Sequence, residues 1–324
     1  MTPFPREAYR PLVPYAPDRR PVPIDLSDNT NRWGTHPAAL QAVREADPEA
    51  LIRYPSVYAD DLRRTVAQHF EVPLESVATG CGSDDLLDSA FRALCDPGDS
   101  IGRTPPTFSM IEIFAQMNDL RVVPFDEGDL RYLCRPNNPT GTSIPRDEVV
   151  ADGRPLLIDE AYADFADDDL VRFAAESKGV VVLRTLSKAY GLAGLRVGFA
   201  IGDPVIIAEM EKSRGPYKVN QLAERAAVAA LPDAEGWVRG IIRQTREGRA
   251  YLMEALQALN PVPSQANFIL LPVSDAAAAT AALREAGIAV RPFPDLPEYG
   301  DCIRITIGPR PELDAFLDAF RRIQ

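Results

Sequence analysis

The chain has 324 residues and a formal net charge of −12 at pH 7, with 46% hydrophobic and 25% charged residues. This length predicts one large domain and a smaller one, and the acidic balance argues against a nucleic-acid partner because phosphate backbones require a basic face. No apolar run approaches the ~18 residues of a membrane span, and no secretory signal is visible, so we expect a cytoplasmic protein.

Metal and disulfide chemistry are not expected from the composition. The chain has two histidines, and its four cysteines form no Cys-x-x-Cys pair, so neither a metal site nor a histidine general base is predicted. Cys81, Cys95, Cys134 and Cys302 each lie among apolar or small residues. That setting is typical of buried free thiols in a reducing compartment.

The first two thirds of the chain consist of an arm followed by alternating strands and helices. Residues 1–23 contain seven prolines and little periodicity, which predicts an extended arm. The predicted strands are 76–79, 99–103, 121–125, 130–135, 155–159, 179–184 and 196–201, and the predicted helices include 58–70, 84–94 and 108–118. This alternation predicts an α/β fold whose seven-stranded, mostly parallel sheet is covered on both faces.

The pattern changes after Gly215-Pro216-Tyr217. We expect helices at 220–231, 233–259, 275–286 and 311–322, and strands at 267–272, 288–292 and 302–307. These elements predict a smaller α+β domain. We therefore assign residues 1–44 to the arm and part of the small domain, residues 45–232 to the large domain, and residues 233–324 to the small C-terminal domain.

A lysine follows the most apolar strand of the predicted sheet. Lys188 comes directly after this strand, at the edge where α/β sheets place their active sites. Thr185 and Ser187 lie beside it, and Arg196 follows eight residues later. Such a lysine could hold an aldehyde cofactor as a Schiff base, with the hydroxyls and the guanidinium binding the cofactor phosphate. The alternative is an ordinary lysine in a surface loop.

An acidic pair ends another apolar strand, at Asp159 and Glu160. A carboxylate at this position could bind a metal beside a phosphate-binding loop, but no Gly-x-x-x-x-Gly-Lys-Ser/Thr segment exists in the chain. We therefore favour Asp159 as the partner of a cofactor ring nitrogen, with Tyr162 reaching the phenolic oxygen of the ring.

Two turns complete the set of candidate segments. The turn at 135–141 carries Asn138, which could bind the same ring oxygen as Tyr162, although a purely structural turn has the same composition. The segment 79–85 opens a helix with glycines, Ser83 and Asp84, and a helix N-terminus suits a phosphate. Ser83 or Asp84 could equally be an ordinary N-cap.

These segments together resemble the fold-type I aminotransferases that depend on pyridoxal 5'-phosphate (PLP), and most closely the histidinol-phosphate aminotransferase branch. Asp159 and Lys188 are 29 residues apart, a spacing familiar in that group. The segments that carry the resemblance are 53–55, 82–84, 105–108, 137–141, 159–162, 185–188, 192–196 and 302–306. It extends from about residue 12 to the end of the chain.

The resemblance implies roles for individual residues. Lys188 would bind the cofactor and move the proton, Asp159 would pair with the pyridinium nitrogen, and Tyr162 would contact the ring oxygen. The implied cofactor-binding residues are Tyr54, Gly82, Ser83, Asp84, Phe108, Asn138, Asp159, Tyr162, Thr185, Ser187, Lys188 and Arg196. Tyr54 would reach the cofactor phosphate of a neighbouring subunit, which implies a homodimer.

The implied substrate-binding residues are Tyr15, Asn29, Asn138, Arg291 and Arg304. Arg304 would bind the anionic group of the substrate, because an unpaired buried charge is unfavourable. The segment 28–34 departs from the Asn-Glu-Asn-Pro-like pattern of the family. We therefore expect Arg32 and Trp33 to change the substrate pocket.

Several activities are compatible with the resemblance. The first is amino transfer between histidinol phosphate and 2-oxoglutarate in histidine biosynthesis. An aromatic amino acid aminotransferase and a PLP-dependent decarboxylase of a phosphorylated amino acid are the alternatives. A cofactor-binding protein that has lost catalysis is disfavoured because Lys188 is present, and a nucleotide-binding module lacks its fingerprint.

Overall fold

The fold was taken from a computed structural model, which describes residues 4–323. The helices are α1 Pro37–Arg44, α2 Glu49–Ile52, α3 Asp60–Phe70, α4 Ser83–Leu94, α5 Met110–Met117, α6 Val171–Glu176, α7 Pro204–Ser213, α8 Gln221–Ala230, α9 Trp237–Ala255, α10 Ala276–Glu285 and α11 Arg310–Ile323. The strands are β1 Ile24–Asp25, β2 Val77–Gly80, β3 Ser100–Arg103, β4 Arg121–Pro124, β5 Leu130–Cys134, β6 Leu156–Asp159, β7 Val180–Thr185, β8 Gly198–Gly202, β9 Phe268–Pro272, β10 Ile288–Ala289, β11 Arg291–Leu296 and β12 Gly300–Thr306.

The large sheet has seven strands in the order β2-β8-β7-β6-β5-β3-β4. Only β8 runs antiparallel to its neighbours, and the other pairings are parallel. Along β7, Val180 and Val182 belong to the apolar cluster that includes residues of α3, α6 and α8, whereas Val181 and Leu183 belong to the cluster that includes residues of α4, α5 and α7. Because successive strand residues point to opposite faces, a strand covered on both faces must be apolar throughout. The predicted α/β fold is confirmed.

A second, smaller unit is built from three antiparallel strands in the order β11-β12-β9, together with the parallel pair β1-β10. Its core includes Leu252 of α9, Ile305 of β12 and Phe316 of α11. The N-terminal segment joins this unit because β1 pairs with β10. The predicted domain boundaries at residues 44 and 232 stay a prediction.

Two elements of the smaller unit differ from the sequence prediction. The strand predicted at 288–292 is two strands, because β10 pairs with β1 and β11 changes partner to β12. The helix predicted from residue 233 begins at Trp237. The Asp233 carboxylate accepts the Val238 and Arg239 backbone N–H groups, so Asp233 precedes the helix and satisfies its first donors. No helix among residues 4–323 is both long and apolar enough to cross a bilayer.

The cysteines differ in exposure more than the sequence predicted. Cys134 and Cys302 are buried, Cys95 is half-buried and Cys81 is exposed. The expectation of buried thiols is therefore wrong for Cys81. It lies in the short turn between β2 and α4, outside the apolar strand that precedes it.

Candidate active site

One cavity of about 540 Å³ brings most of the sequence-predicted site residues together. It lies beyond the carboxyl ends of β5, β6 and β7, where α/β sheets place their ligands. All the predicted site residues except Tyr54 and Gly82 line it, namely Tyr15, Asn29, Ser83, Asp84, Phe108, Asn138, Asp159, Tyr162, Thr185, Ser187, Lys188, Arg196, Arg291 and Arg304. The cavity is therefore lined by residues of the arm, the large sheet and the smaller unit.

Lys188 lies in the middle of this cavity, three residues beyond the end of β7. Its Nζ donates to the Asp28 backbone carbonyl at 3.4 Å and lies 5.5 Å from the centre of the Tyr162 ring. Burial, helped by the positive charge of Arg304, lowers the pKa of Lys188 to about 8. An amine with this pKa is partly neutral near physiological pH and can act as a nucleophile or a base.

Asp159 ends β6 as a buried carboxylate with two donors. Its Oδ2 accepts the Tyr132 hydroxyl at 2.9 Å, and its Oδ1 accepts the Ala161 backbone N–H at 3.0 Å. Burial raises the pKa of Asp159 to about 6 despite these hydrogen bonds. A cationic partner would stabilise its charged form, so the site favours a protonated ring nitrogen.

Tyr132 was missed by the sequence analysis. It is a buried, hydroxyl-bearing residue in the middle of strand β5. A buried tyrosine needs a hydrogen-bond partner, and this need was the available signal. The identity of that partner, Asp159 on the adjacent strand, depended on the strand order.

Asn29 contacts Tyr162. Its amide nitrogen donates to the Tyr162 hydroxyl oxygen at 3.0 Å, and its amide oxygen accepts the Thr306 hydroxyl at 3.1 Å. Asn29 has a φ of 56° and is held further by Asn267, which donates to its backbone carbonyl. The pKa of Tyr162 is raised to about 12, mainly by burial. Asn29 therefore orients the Tyr162 hydroxyl, which stays protonated.

The turn before α4 supplies an uncapped helix N-terminus. The N-cap residue is Gly82, with a φ of 81° and no side-chain cap hydrogen bond, so the reading of Ser83 or Asp84 as N-cap is wrong. A Cβ added at Gly82 would lie 2.5 Å from Nη2 of Arg196. Arg196 faces Asp84 at 3.5 Å. The free N–H groups and Arg196 together form a site for an anion.

Thr185 and Ser187 line the same cavity as the α4 N-terminus. The Thr185 hydroxyl lies 2.9 Å from the Ser187 hydroxyl and accepts the Ser187 backbone N–H at 3.2 Å. Both side chains are buried in the protein and line the cavity. They add hydroxyl donors to the backbone donors of α4, the combination that binds phosphate.

Two arginines face each other at the opposite end of the cavity. Arg291 on β11 is directly across from Arg304 on β12. Arg304 donates to Asn138 Oδ1 at 2.6 Å and to the Ser27 carbonyl at 2.9 Å, whereas its buried Nε has no partner. Burial lowers the pKa of Arg304 to about 10. Like charges opposite each other are unfavourable unless an anion lies between them.

The arm contributes further groups to this end of the cavity. The Tyr15 hydroxyl accepts from Arg291 at 3.3 Å, and Arg19 forms a close ion pair with Asp28. Arg19, Asp28 and Phe293 also line the cavity but were not predicted as site residues. The arm has no repeating pattern from which their direction could be predicted.

Arg32 and Trp33 do not line the cavity, and the expectation that they change the substrate pocket stays a prediction. Arg32 forms two hydrogen bonds with Glu312 of α11, at 2.8 and 2.9 Å. Trp33 packs against both the core of the large sheet and the core of the smaller unit. These residues join the segment to the rest of the fold.

Tyr54 also lies outside the cavity. It is 83% exposed, and its ring stacks on Tyr217 with 5.0 Å between the centroids. The exposed apolar residues Leu51 and Ile52 lie close to it in the chain. The predicted contact of Tyr54 with a neighbouring subunit stays a prediction.

The residues present fit PLP. The cavity offers an anion site at α4, Thr185 and Ser187, a buried carboxylate at Asp159, and a lysine of lowered pKa between them. The buried Nε of Arg304 has no hydrogen-bond partner in the protein, so an anion at the opposite end would complete its hydrogen bonds. A phosphorylated aldehyde with a basic ring nitrogen, binding beside an anionic substrate, complements these groups.

Comparison with known proteins agrees with this chemistry. Residues 21–320 match the family model for aminotransferase class I and II. The chain therefore belongs to this family, its cofactor is PLP and its reaction is amino transfer.

Relatives over the full chain carry two different names. A histidinol-phosphate aminotransferase of Roseiflexus castenholzii is 35% identical, covering 98% of this chain and 95% of its own length. An aromatic amino acid aminotransferase of Corynebacterium glutamicum is 37% identical, covering 95% and 96%. The histidinol-phosphate aminotransferase of Sinorhizobium meliloti, solved in complex with PLP, has a TM-score of 0.89 at 23% identity, covering 100% and 98%. This last similarity confirms the fold.

Proposed function

We propose that this enzyme transfers the amino group between histidinol phosphate and imidazole acetol phosphate, with glutamate and 2-oxoglutarate as the second pair. The observation that carries the proposal is the pair of opposed arginines, Arg291 and Arg304. Two guanidinium groups and the Tyr15 hydroxyl suit a phosphate dianion, which accepts more hydrogen bonds than a carboxylate.

Lys188, Asp159 and Tyr162 are the proposed catalytic residues. When bound, PLP supplies an electron sink for the carbanion character that develops at the substrate Cα. Lys188 would hold the cofactor through its amine and would carry the proton that leaves the substrate Cα. Asp159 keeps the ring nitrogen protonated, and its burial strengthens that charge pairing. Tyr162, held by Asn29, donates to the ring oxygen.

The remaining residues position the cofactor and substrate. The proposed phosphate cradle consists of Gly82, Ser83, Asp84, Thr185, Ser187 and Arg196. Phe108 lies in the cavity wall and would stack on the cofactor ring. Asn138, which is already hydrogen-bonded to Arg304, would join the cofactor and substrate regions.

An aromatic amino acid aminotransferase is the second candidate. Relatives with that name are 34% to 37% identical over at least 95% of the chain, and the cavity has Phe108 and Phe293 in its wall. The decarboxylase alternative has weaker support, because the L-threonine-O-3-phosphate decarboxylase of Porphyromonas gingivalis is similar at 21% identity, which shows the fold alone.

Steady-state kinetics separates these activities. We would compare kcat/KM for histidinol phosphate and phenylalanine, and measure carbon dioxide release from O-phosphothreonine. Arg291→Met should lower kcat/KM for histidinol phosphate at least about tenfold and leave phenylalanine nearly unchanged, whereas Arg321→Met, at an exposed position of α11, should change neither. A wild-type preference for phenylalanine would establish the second candidate, and carbon dioxide release would establish the third.

The homodimer is part of the same proposal. Tyr54 is exposed in the monomer, whereas every other predicted cofactor residue except Gly82 lines the cavity. We expect Tyr54→Phe to weaken PLP retention without dissociating the dimer, as measured by dialysis of the holoenzyme and by sedimentation. A monomeric holoenzyme with full activity would refute this role. The cytoplasmic location stays a prediction.

A further inference from the structure

Asp85 connects the turn before α4 with a distant segment of the chain. Its Oδ2 accepts the Cys81 backbone N–H at 3.0 Å, and its Oδ1 accepts Lys218 Nζ at 2.8 Å. The side chains of Asp85 and Lys218 are 12% and 33% exposed. One partly buried carboxylate thus joins the turn to the segment between α7 and α8.

The turn leaves little room for movement. The Gly82 backbone N–H donates to the Gly80 carbonyl at 2.9 Å. A Cβ added at Gly80 would lie 2.8 Å from Cγ of Leu86 and 3.0 Å from Oδ2 of Asp85. The Asp85 carboxylate therefore packs against the turn as well as binding its N–H group, so its position determines where the turn lies.

The segment that carries Lys218 is itself fixed to the same unit. Ser213 donates its hydroxyl to the Ser89 carbonyl on α4 at 2.6 Å. The buried Arg214 reaches the Thr79 hydroxyl on β2 at 3.4 Å. Together with the bond from Lys218 to Asp85, the segment holds the strand, the turn and the helix at three points.

Charge gives Lys218 a second effect on this turn. Two carboxylates, Asp84 and Asp85, lie in the first turn of α4, where a cofactor phosphate would meet like charges. Arg196 faces Asp84 at 3.5 Å, and Lys218 faces Asp85 at 2.8 Å. Each carboxylate thus has its own cation, which preserves the attraction of the helix N-terminus for an anion.

We infer that Lys218, acting through Asp85, is a positioning residue that holds and neutralises the phosphate-binding turn. The inference rests on the proposed placement of the cofactor phosphate at this turn. Neither residue lines the cavity, so Lys218 acts on phosphate affinity without touching the phosphate.

The test is the dissociation of PLP from the holoenzyme, measured by dialysis and by the loss of the cofactor absorbance. Lys218→Met should raise the dissociation constant roughly tenfold, which corresponds to about 1.4 kcal/mol. Lys212→Met removes an exposed lysine paired with Glu209 on α7 and should leave it unchanged. Asp85→Asn keeps an oxygen acceptor for the Cys81 N–H, so Lys218→Met should have almost no effect in that background.

Three results would overturn the inference. They are an unchanged dissociation constant in Lys218→Met, an equal loss with and without Asp85→Asn, and a loss fully explained by a lower melting temperature of the apoenzyme. Arg196→Met serves as the reference for the phosphate placement. If Arg196→Met weakens PLP binding and Lys218→Met does not, the inference alone fails. If neither weakens it, the phosphate placement fails too.

Discussion

Replacing Arg304 by methionine tests whether this arginine binds the anionic group of the substrate. In the protein without substrate, the guanidinium is buried, is opposite Arg291, and has one nitrogen without a partner. Such a group should contribute little to folding and much to substrate binding. Methionine keeps most of the side-chain length and removes the charge.

The expected effect on stability can be worked out from the site. The pKa of Arg304 falls from 12.5 to about 10, which corresponds to a penalty of about 3 kcal/mol for the buried charge. Methionine removes this penalty but leaves Asn138 Oδ1 and the Ser27 carbonyl without a donor, at about 1–3 kcal/mol each. The two effects nearly cancel, so the melting temperature should change by only a few °C.

The expected effect on catalysis is much larger. A buried arginine that binds a substrate anion contributes about 2–5 kcal/mol, so kcat/KM should fall at least about 30-fold. The assay combines thermal unfolding of the holoenzyme with steady-state kinetics.

Arg214→Met is the control, because Arg214 is also buried but forms an ion pair with Glu211 at 2.6 Å. The Arg214→Met protein should lose about 3–5 kcal/mol of its free energy of unfolding, because the Glu211 carboxylate is left without its partner. If Arg304→Met unfolds like this control, or keeps kcat/KM within tenfold of wild type, Arg304 is a structural residue.

Three further outcomes follow from the same geometry. In the apoenzyme, the pKa of Lys188 is 10.5 in the unfolded chain and about 8 in the folded chain, so the unfolded chain binds more protons between these pH values. The free energy of unfolding of the wild type should therefore rise with pH over this range relative to that of Lys188→Met. An equal pH dependence of unfolding in the two proteins would contradict this. Asp159→Asn should lower kcat by several orders of magnitude while the apoenzyme becomes more stable at pH 7, because burial disfavours the carboxylate; retained turnover would remove Asp159 from its role. Arg32→Ala should lower the free energy of unfolding by about 1 kcal/mol because the ion pair with Glu312 is lost. It should leave the ratio of kcat/KM between the two amino donors unchanged, and a changed ratio would show that Arg32 affects the substrate pocket.

The strands of the large sheet could be predicted because each one has its own sequence signal. A parallel strand covered on both faces is apolar along its whole length, and Leu156–Asp159 and Val180–Thr185 are recognisable without knowledge of their neighbours. The same reasoning placed Asp159 and Lys188 at one edge of the sheet. The smaller unit was harder, because the division of 288–292 depends on which strands β10 and β11 pair with.

The contacts between distant segments could not be predicted. Asn29 and Tyr162 are 133 residues apart, and Tyr132 and Asp159 are 27 apart. Each residue type indicates a need for a hydrogen-bond partner, but the partner is determined by the packing of whole elements. Motifs therefore indicated candidate residues for the chemistry, whereas the structure showed which residues form hydrogen bonds with them.

The segment 28–34 shows why a departure from a family pattern does not by itself indicate a new substrate. Asp28, Asn29 and Thr30 line the cavity, whereas Arg32 binds α11 and Trp33 packs between two cores. Arg32 and Trp33 therefore act on the packing of this segment against the smaller unit and the large sheet. A difference in substrate between this enzyme and its relatives should be sought instead at Asp28 and Thr30, because their side chains can reach a bound molecule.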